Sequence, residues 1–159
     1  MKHGLKWIVG SAFLSVSLLS GVAFADGHFE KAIKARKAVM TIYAFNLGVL
    51  GAMAKGEAEY DSKVAMGAAN NLLAAANLDA SQLWPQGSDN KAMPDKTRAL
   101  PDIWTTYPKV VEHQKALIKA LEALGPASGK DLQSLQGAMK AVGGGCGGCH
   151  KPFRAEKKS

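Results

Sequence analysis

The stretch DLQSLQGAMKAVGGGCGGCHKPFR, Asp131 to Arg154, carries two opposed signals. Leu132, Leu135, Met139, Val142, Cys146, Cys149 and Phe153 follow one another in steps of three and four, the period of one helix face. Yet five glycines crowd into residues 143–148, and each costs a helix about 1 kcal/mol against alanine. Both cysteines of the protein lie on the apolar seam. His150 stands one turn on from Cys146, because residues four apart share a helix face. The seam therefore predicts a helix that turns two thiols and an imidazole toward the interior of its packing partners.

Three further stripes of the same period precede it. The first is Phe29, Ile33, Arg36, Met40, Tyr43, Leu47 and Leu50, stopped by Lys55-Gly56. The second runs from about residue 62 to residue 80, capped by Asp61. Val64, Ala68, Leu72, Ala75 and Leu78 are its expected inward positions. The third is Ile103, Tyr107, Val110, Gln114, Leu117, Leu121 and Leu124, with Gly125-Pro126 as the expected stop and Pro108 as a kink or true start. Ser128 and Asp131 have the spacing of a capping box for the fourth helix. Between the second and third stripes, residues 84–101 hold three prolines among many polar residues and read as a long loop, functional or disordered. No segment alternates with period two. Four helical seams with mostly short connections predict an all-α fold, an antiparallel four-helix bundle.

The N-terminus has another character. Lys2 and Lys6 precede an apolar stretch from Trp7 to Phe24 that ends in Ala23-Phe24-Ala25. This is the pattern of a secretory signal, so residues 1–25 are expected to be cleaved after Ala25, leaving residues 26–159 as one domain exported to the periplasm. A retained membrane anchor is the rival reading, and the stretch is short for one. The formal charge of +7 includes Lys2 and Lys6 of this leader. The remaining charges are interspersed, with no basic stripe of the kind nucleic acid requires. They suit a solvated surface, or a face for an acidic partner or membrane.

Cys146-Gly147-Gly148-Cys149-His150 is a C-x-x-C-H cluster, the spacing that attaches a c-type haem. The two sulfurs would take the macrocycle's vinyl groups in thioether bonds, and the adjacent imidazole would supply the proximal iron ligand. Zinc would need two further ligands, and only His28 and His113 remain beyond the leader. A thioredoxin-like dithiol calls for a βαβ setting. A disulfide across one turn of a continuing helix is awkward and leaves His150 without a role.

With an aromatic residue and an arginine following, Cys146 to Arg154 resembles the C-terminal motif of the class II c-type cytochromes, the cytochrome c′ family with its low-spin relatives. Residues 36–40 and 47–57 are similar to that family's first helix and its end, and residues 101–104 to the start of its third. The resemblance implies an exported four-helix bundle with one covalent haem c. It also places Met40 on the side of the first helix that faces the iron. There a methionine serves either as the sixth ligand of an electron-transfer centre or as filler of the distal space; ordinary core packing is the third option. Arg36, one turn earlier, is a candidate for a haem propionate contact or for snorkelling to the bundle edge. Arg154 is a weaker propionate candidate, and Lys151 is expected to be solvated. Trp84, Trp104 and Tyr107 are expected to line the pocket or anchor core and loop, whereas His28 and His113 are expected at the surface.

The leading expectation is therefore an electron carrier that meets redox partner proteins transiently. The alternative is a five-coordinate haem protein taking nitric oxide or carbon monoxide. An enzyme is disfavoured, since the first stripe offers no distal histidine for acid–base work. The family's homodimers through the first two helices are permitted, not required, by the alanine-rich second stripe.

Overall fold

The computed structural model describes the backbone of residues 20–157 and side chains from residue 27. The expected leader and its cleavage point thus fall outside the residues whose side chains are described. Helix α1 spans Ser20–Lys55, α2 Ser62–Ala76, α3 Asp102–Thr105, α4 Tyr107–Lys130 and α5 Leu132–Phe153, with a 3-10 turn at Ser81–Leu83. Extended pairing among the described residues is limited to one antiparallel bridge, Ala99 to Arg154.

Helices α1, α2, α4 and α5 form the expected four-helix bundle. Around the ring α1 packs on α2 and α5, and α4 packs on α2 and α5. Neighbours run antiparallel. Gln136 Nε2 on α5 donates to the Ala54 carbonyl at 2.8 Å. Between α2 and α4, Gln114 Nε2 donates to the Ala76 carbonyl and, at the opposite end, the Tyr60 hydroxyl donates to the Ser128 carbonyl, both at 2.8 Å. Leu50, Leu72, Leu121, Leu124, Leu135 and Val142 are almost wholly covered. Each such side chain contributes about 1.5–3 kcal/mol relative to exposure. A smaller cluster, Ala99, Ile103 and Phe153, closes the end of the bundle where α5 finishes, with Trp84, Trp104, Val110 and Cys149 against it.

Local chemistry explains the helix ends. Gly56 adopts φ +76°, the left-handed conformation glycine enters without a Cβ penalty, and α1 stops there. Asp61 accepts from the Lys63 and Val64 amides at 2.8 and 3.0 Å and starts α2.

Several expectations are corrected. Helix α2 ends at Ala76, short of residue 80. Its covered face is Ala65, Ala68, Ala69, Leu72, Ala75 and Ala76, so Val64 and Leu78 point outward. Ala68, Leu72 and Ala75 are covered as expected, and the alanines at 65, 69 and 76 widen the covered face beyond those positions. Pro108 does mark the true start, one of its two expected roles: it lies in the first turn of α4, where its missing N–H costs nothing. Tyr107, expected inward, is 59 % exposed.

Gly125-Pro126 does not end α4, which continues to Lys130. Pro126 and Glu122 are both exposed, so the carbonyl deprived of a helical donor can bond water. Gly125, before the proline, has no Cβ to clash with its ring. The fourth helix is capped by Asp131 alone, whose carboxylate accepts from the Ser134 amide at 2.7 Å. Ser128 is buried within the last turn of α4 instead.

Candidate haem site

The last turns of α5 carry the three motif side chains. Cys146 packs against the main core and Cys149 against the end cluster, so the thiols sit where the two apolar regions meet. Both are free and half-buried. Burial raises both thiols above the ordinary cysteine value, and Cys146 adds to the effect on Cys149. Burial pushes the His150 imidazole the other way, below the ordinary histidine value, and Arg154 and Arg98 act in the same direction. His150 is thereby held neutral, the form in which a ring nitrogen can bind a metal. Among the described residues no cluster of three or more His, Cys, Asp or Glu side chains forms, as a structural zinc site would need.

The glycines divide into two groups. A Cβ on Gly145 would lie 3.1 Å from the Leu117 Cα, and one on Gly148 would lie 3.2 Å from His113 Nδ1. These two let α5 press against α4. Gly143, Gly144 and Gly147 would meet nothing within 4 Å. Gly147 lines a cavity of about 420 Å³ together with Arg98, His150, Lys151, Arg154, Ala155 and Glu156. Two neutral thiols, a neutral imidazole and open space along the same turns fit a covalently held macrocycle. Cys146, Cys149 and His150 are the residues that would hold it.

Met40 enters this frame through helix register. Tyr43 on α1 and Cys146 on α5 pack on the same core. Burial raises the Tyr43 hydroxyl to about 12, with the nearby Cys146 as a second cause. Ten residues earlier on α5, Gln136 meets Ala54, eleven residues later on α1. Both helices rise about 1.5 Å per residue. One more turn of this antiparallel register brings His150 level with Met40. The seam opens at that point: Arg36 is buried and Tyr43 half-buried, but Met40 between them is 44 % exposed. Core packing therefore does not account for Met40. The other methionines of the described residues have structural explanations or lie elsewhere: Met53 is in the core, Met139 packs against it, Met93 is buried in the loop, and Met66 presses on Gly129.

Arg36 is placed differently from the snorkelling alternative. It is only 4 % exposed and its fork grips the loop. Nη1 donates to Ser88 Oγ at 2.8 Å and to the Leu83 carbonyl at 3.4 Å, while Nη2 donates to the Ser88 carbonyl at 2.6 Å and Thr97 Oγ1 at 2.9 Å. The guanidinium also stacks 4.5 Å over the Trp84 ring. All four Nη hydrogens are thus engaged with residues that follow α2. Desolvation lowers its pKa to about 10, and Asp89 opposes the shift, which leaves it charged at neutral pH.

Loop residues 84–101 are accordingly ordered, with Ser88, Met93, Thr97 and Ala99 buried. Trp84 and Trp104 lie ring to ring at 6.3 Å, joined by a 3.0 Å bond from Trp104 Nε1 to the Trp84 carbonyl. They sit in the end cluster beside Cys149, whereas exposed Tyr107 does not. Arg98, Lys151 and Arg154 are exposed around the cavity, and none is in an ion pair among the described residues. His28 is exposed as expected. His113 is not a surface residue: it is half-buried, edge-on to Phe153 at 5.9 Å, and its ring fills the space Gly148 leaves. A lone histidine on a polar stretch of α4 carried no signal of this, because the contact exists only once α5 docks.

Comparison with known proteins agrees with this geometry. The family described as Cytochrome C′ matches residues 31–154. Cytochrome c-554 of Cereibacter sphaeroides is 42 % identical over 79 % of this chain and 93 % of its own length. A solved cytochrome c′ from Rhodobacter Spheriodes superposes with a TM-score of 0.78 at 33 % identity, covering 81 % of this chain and 98 % of its own. A ferrous variant of the Alcaligenes xylosoxidans cytochrome c′ with bound NO superposes at 0.70 and 26 % identity, covering 81 % and 97 %.

Proposed function

Since the chain belongs to the cytochrome c′ family, whose members bind one haem c covalently, we propose that it is a periplasmic electron carrier with His150 and Met40 as axial iron ligands. Cys146 and Cys149 hold the macrocycle in this reading. The bound haem supplies a one-electron Fe(III)/Fe(II) couple, and a methionine as sixth ligand raises its potential. The observation that carries the reading is the register that brings Met40 level with His150 while leaving its side chain uncovered by core. His150, desolvated and held neutral, keeps a ring nitrogen free for the metal. Packed helices on both sides hold the two ligand-bearing turns at one separation, so a change of oxidation state requires little movement of the chain.

The leader pattern around Lys2, Lys6 and Ala23-Phe24-Ala25 supports export. The cations Arg98, Lys151 and Arg154 beside His150 provide a face for a transient acidic redox partner. Turnover is no part of this reading, because His28, the only histidine of α1, lies about three turns from Met40. The exposed apolar side chains Ile42, Phe45 and Val64 on α1 and α2 suit a second copy of the chain.

A second reading is favoured by the neighbour with bound NO: a haem protein whose Met40 side takes nitric oxide or carbon monoxide. The ferric absorption spectrum separates the two. A far-red sulfur-to-iron band that Met40→Leu abolishes is expected for the electron carrier. A high-spin spectrum, unchanged by that substitution, would leave the gas-binding reading in its place. Cys146→Ser with Cys149→Ser is expected to yield protein without covalent haem.

A further inference from the structure

The loop between α2 and α3 ties together the two turns assigned as iron-ligand bearers. Arg36 stands one turn before Met40 on α1 and is almost completely buried. Its fork holds Ser88 and Thr97 of the loop. Thr97 Oγ1 also accepts from the Ala99 amide at 3.1 Å, which stiffens the next residues. Those residues pair with the end of α5: the Leu100 amide donates to the Phe153 carbonyl at 3.0 Å, and the Ala155 amide donates to the Arg98 carbonyl at 2.8 Å. The bridge from Ala99 to Arg154 lies between these two bonds. Phe153 is three residues beyond His150. An unbroken path of short hydrogen bonds thus runs from the helix turn before Met40 to the helix end after His150.

Two other ties join α1 to the loop, Lys37 Nζ to the Lys96 carbonyl and the Lys96–Glu30 ion pair at 2.8 Å. Both are exposed, and exposed pairs contribute little. Arg36 is the buried one. A charged fork out of water is costly to leave unpaired, so its four bonds and the Trp84 face hold the loop in one arrangement. A lysine could not reproduce that fork.

We propose that Arg36 is a positioning residue: through the residue 84–100 strap it sets the separation of the α1 and α5 turns that carry Met40 and His150. The proposal rests on the ligand assignment above for its spectroscopic consequence, though not for the strap itself. The test uses the haem-loaded protein and the Arg36→Gln variant, with Leu135→Ala as a core-destabilised control far from the strap. In Arg36→Gln the Leu100 and Ala155 amides should exchange at least tenfold faster than in the wild type. On a urea titration its far-red band should disappear at a lower concentration than its helical circular dichroism. In Leu135→Ala the two signals should move together, and Arg36→Lys should fall between Arg36→Gln and the wild type.

Unchanged exchange at those two amides would overturn the proposal, as would a band and dichroism that move together in Arg36→Gln. If the wild type has no far-red band, the Met40 assignment fails, and the exchange measurement alone decides the strap: faster exchange supports it and unchanged exchange overturns it. Should Arg36→Gln not accumulate, Thr97→Val removes one acceptor while leaving the arginine in place, and the same two readouts apply.

Discussion

Gly143 and Gly145 are two residues apart in the same helix, yet their substitution should have opposite results. A side chain at Gly143 meets nothing within 4 Å, so Gly143→Ala gains only helix propensity and should stabilise the protein by about 1 kcal/mol. At Gly145 the added Cβ would stand 3.1 Å from the α4 backbone at Leu117, which cannot move aside as a side-chain tip could. Gly145→Ala should lose that gain or destabilise. Chemical denaturation of both variants checks the pair, and equal stabilisation would refute the close approach of α4 and α5. Arg36 carries the same lesson. Its place on an inward seam was legible, because it falls in phase with Ile33, Met40 and Tyr43. That the partner is Ser88 and Thr97 was not legible, since those residues lie more than fifty positions away in a stretch without periodicity.

Among the elements, α5 joins the weakest local propensity to the strongest pattern. Its apolar seam survives five glycines because Leu135 and Val142 anchor it in the core and Phe153 anchors it in the end cluster. Cys146 and Cys149 fall between those anchors, so covalent attachment of the macrocycle would brace the stretch that propensity leaves loose. The amides of residues 143–150 should therefore exchange at least tenfold faster in the Cys146→Ser, Cys149→Ser protein than in the haem-loaded protein. Equal protection in the two would contradict this. Helix α4 was misjudged for the converse reason. Gly125-Pro126 is a strong stop signal in isolation, and packing of Leu121 and Leu124 carried the helix past it, at a site where the freed carbonyl faces solvent. In α2, the positions of Ala68, Leu72 and Ala75 were legible, whereas Ala65, Ala69 and Ala76 joined the covered face only through packing among the helices.

For the whole molecule, the exposed apolar side chains of α1 and α2 are the feature the monomer leaves unexplained. Phe45 is 70 % exposed, beside Ile42, with Val64 on α2. Phe45→Glu should convert a dimeric wild type into a monomer by light scattering, while the haem spectrum stays unchanged; a monomeric wild type would refute the pairing. By itself, the amino-acid order determined the all-α class, the four seams and the haem-binding cluster. Each of these is a local periodicity or spacing, readable from residues within a few turns. Only the tertiary structure decided the antiparallel register of α1 and α5, that Arg36 bonds Ser88 and Thr97, and that His113 fills the space beside Gly148. Those are relations between helices, set by antiparallel register and close packing, which no single stretch of chain contains.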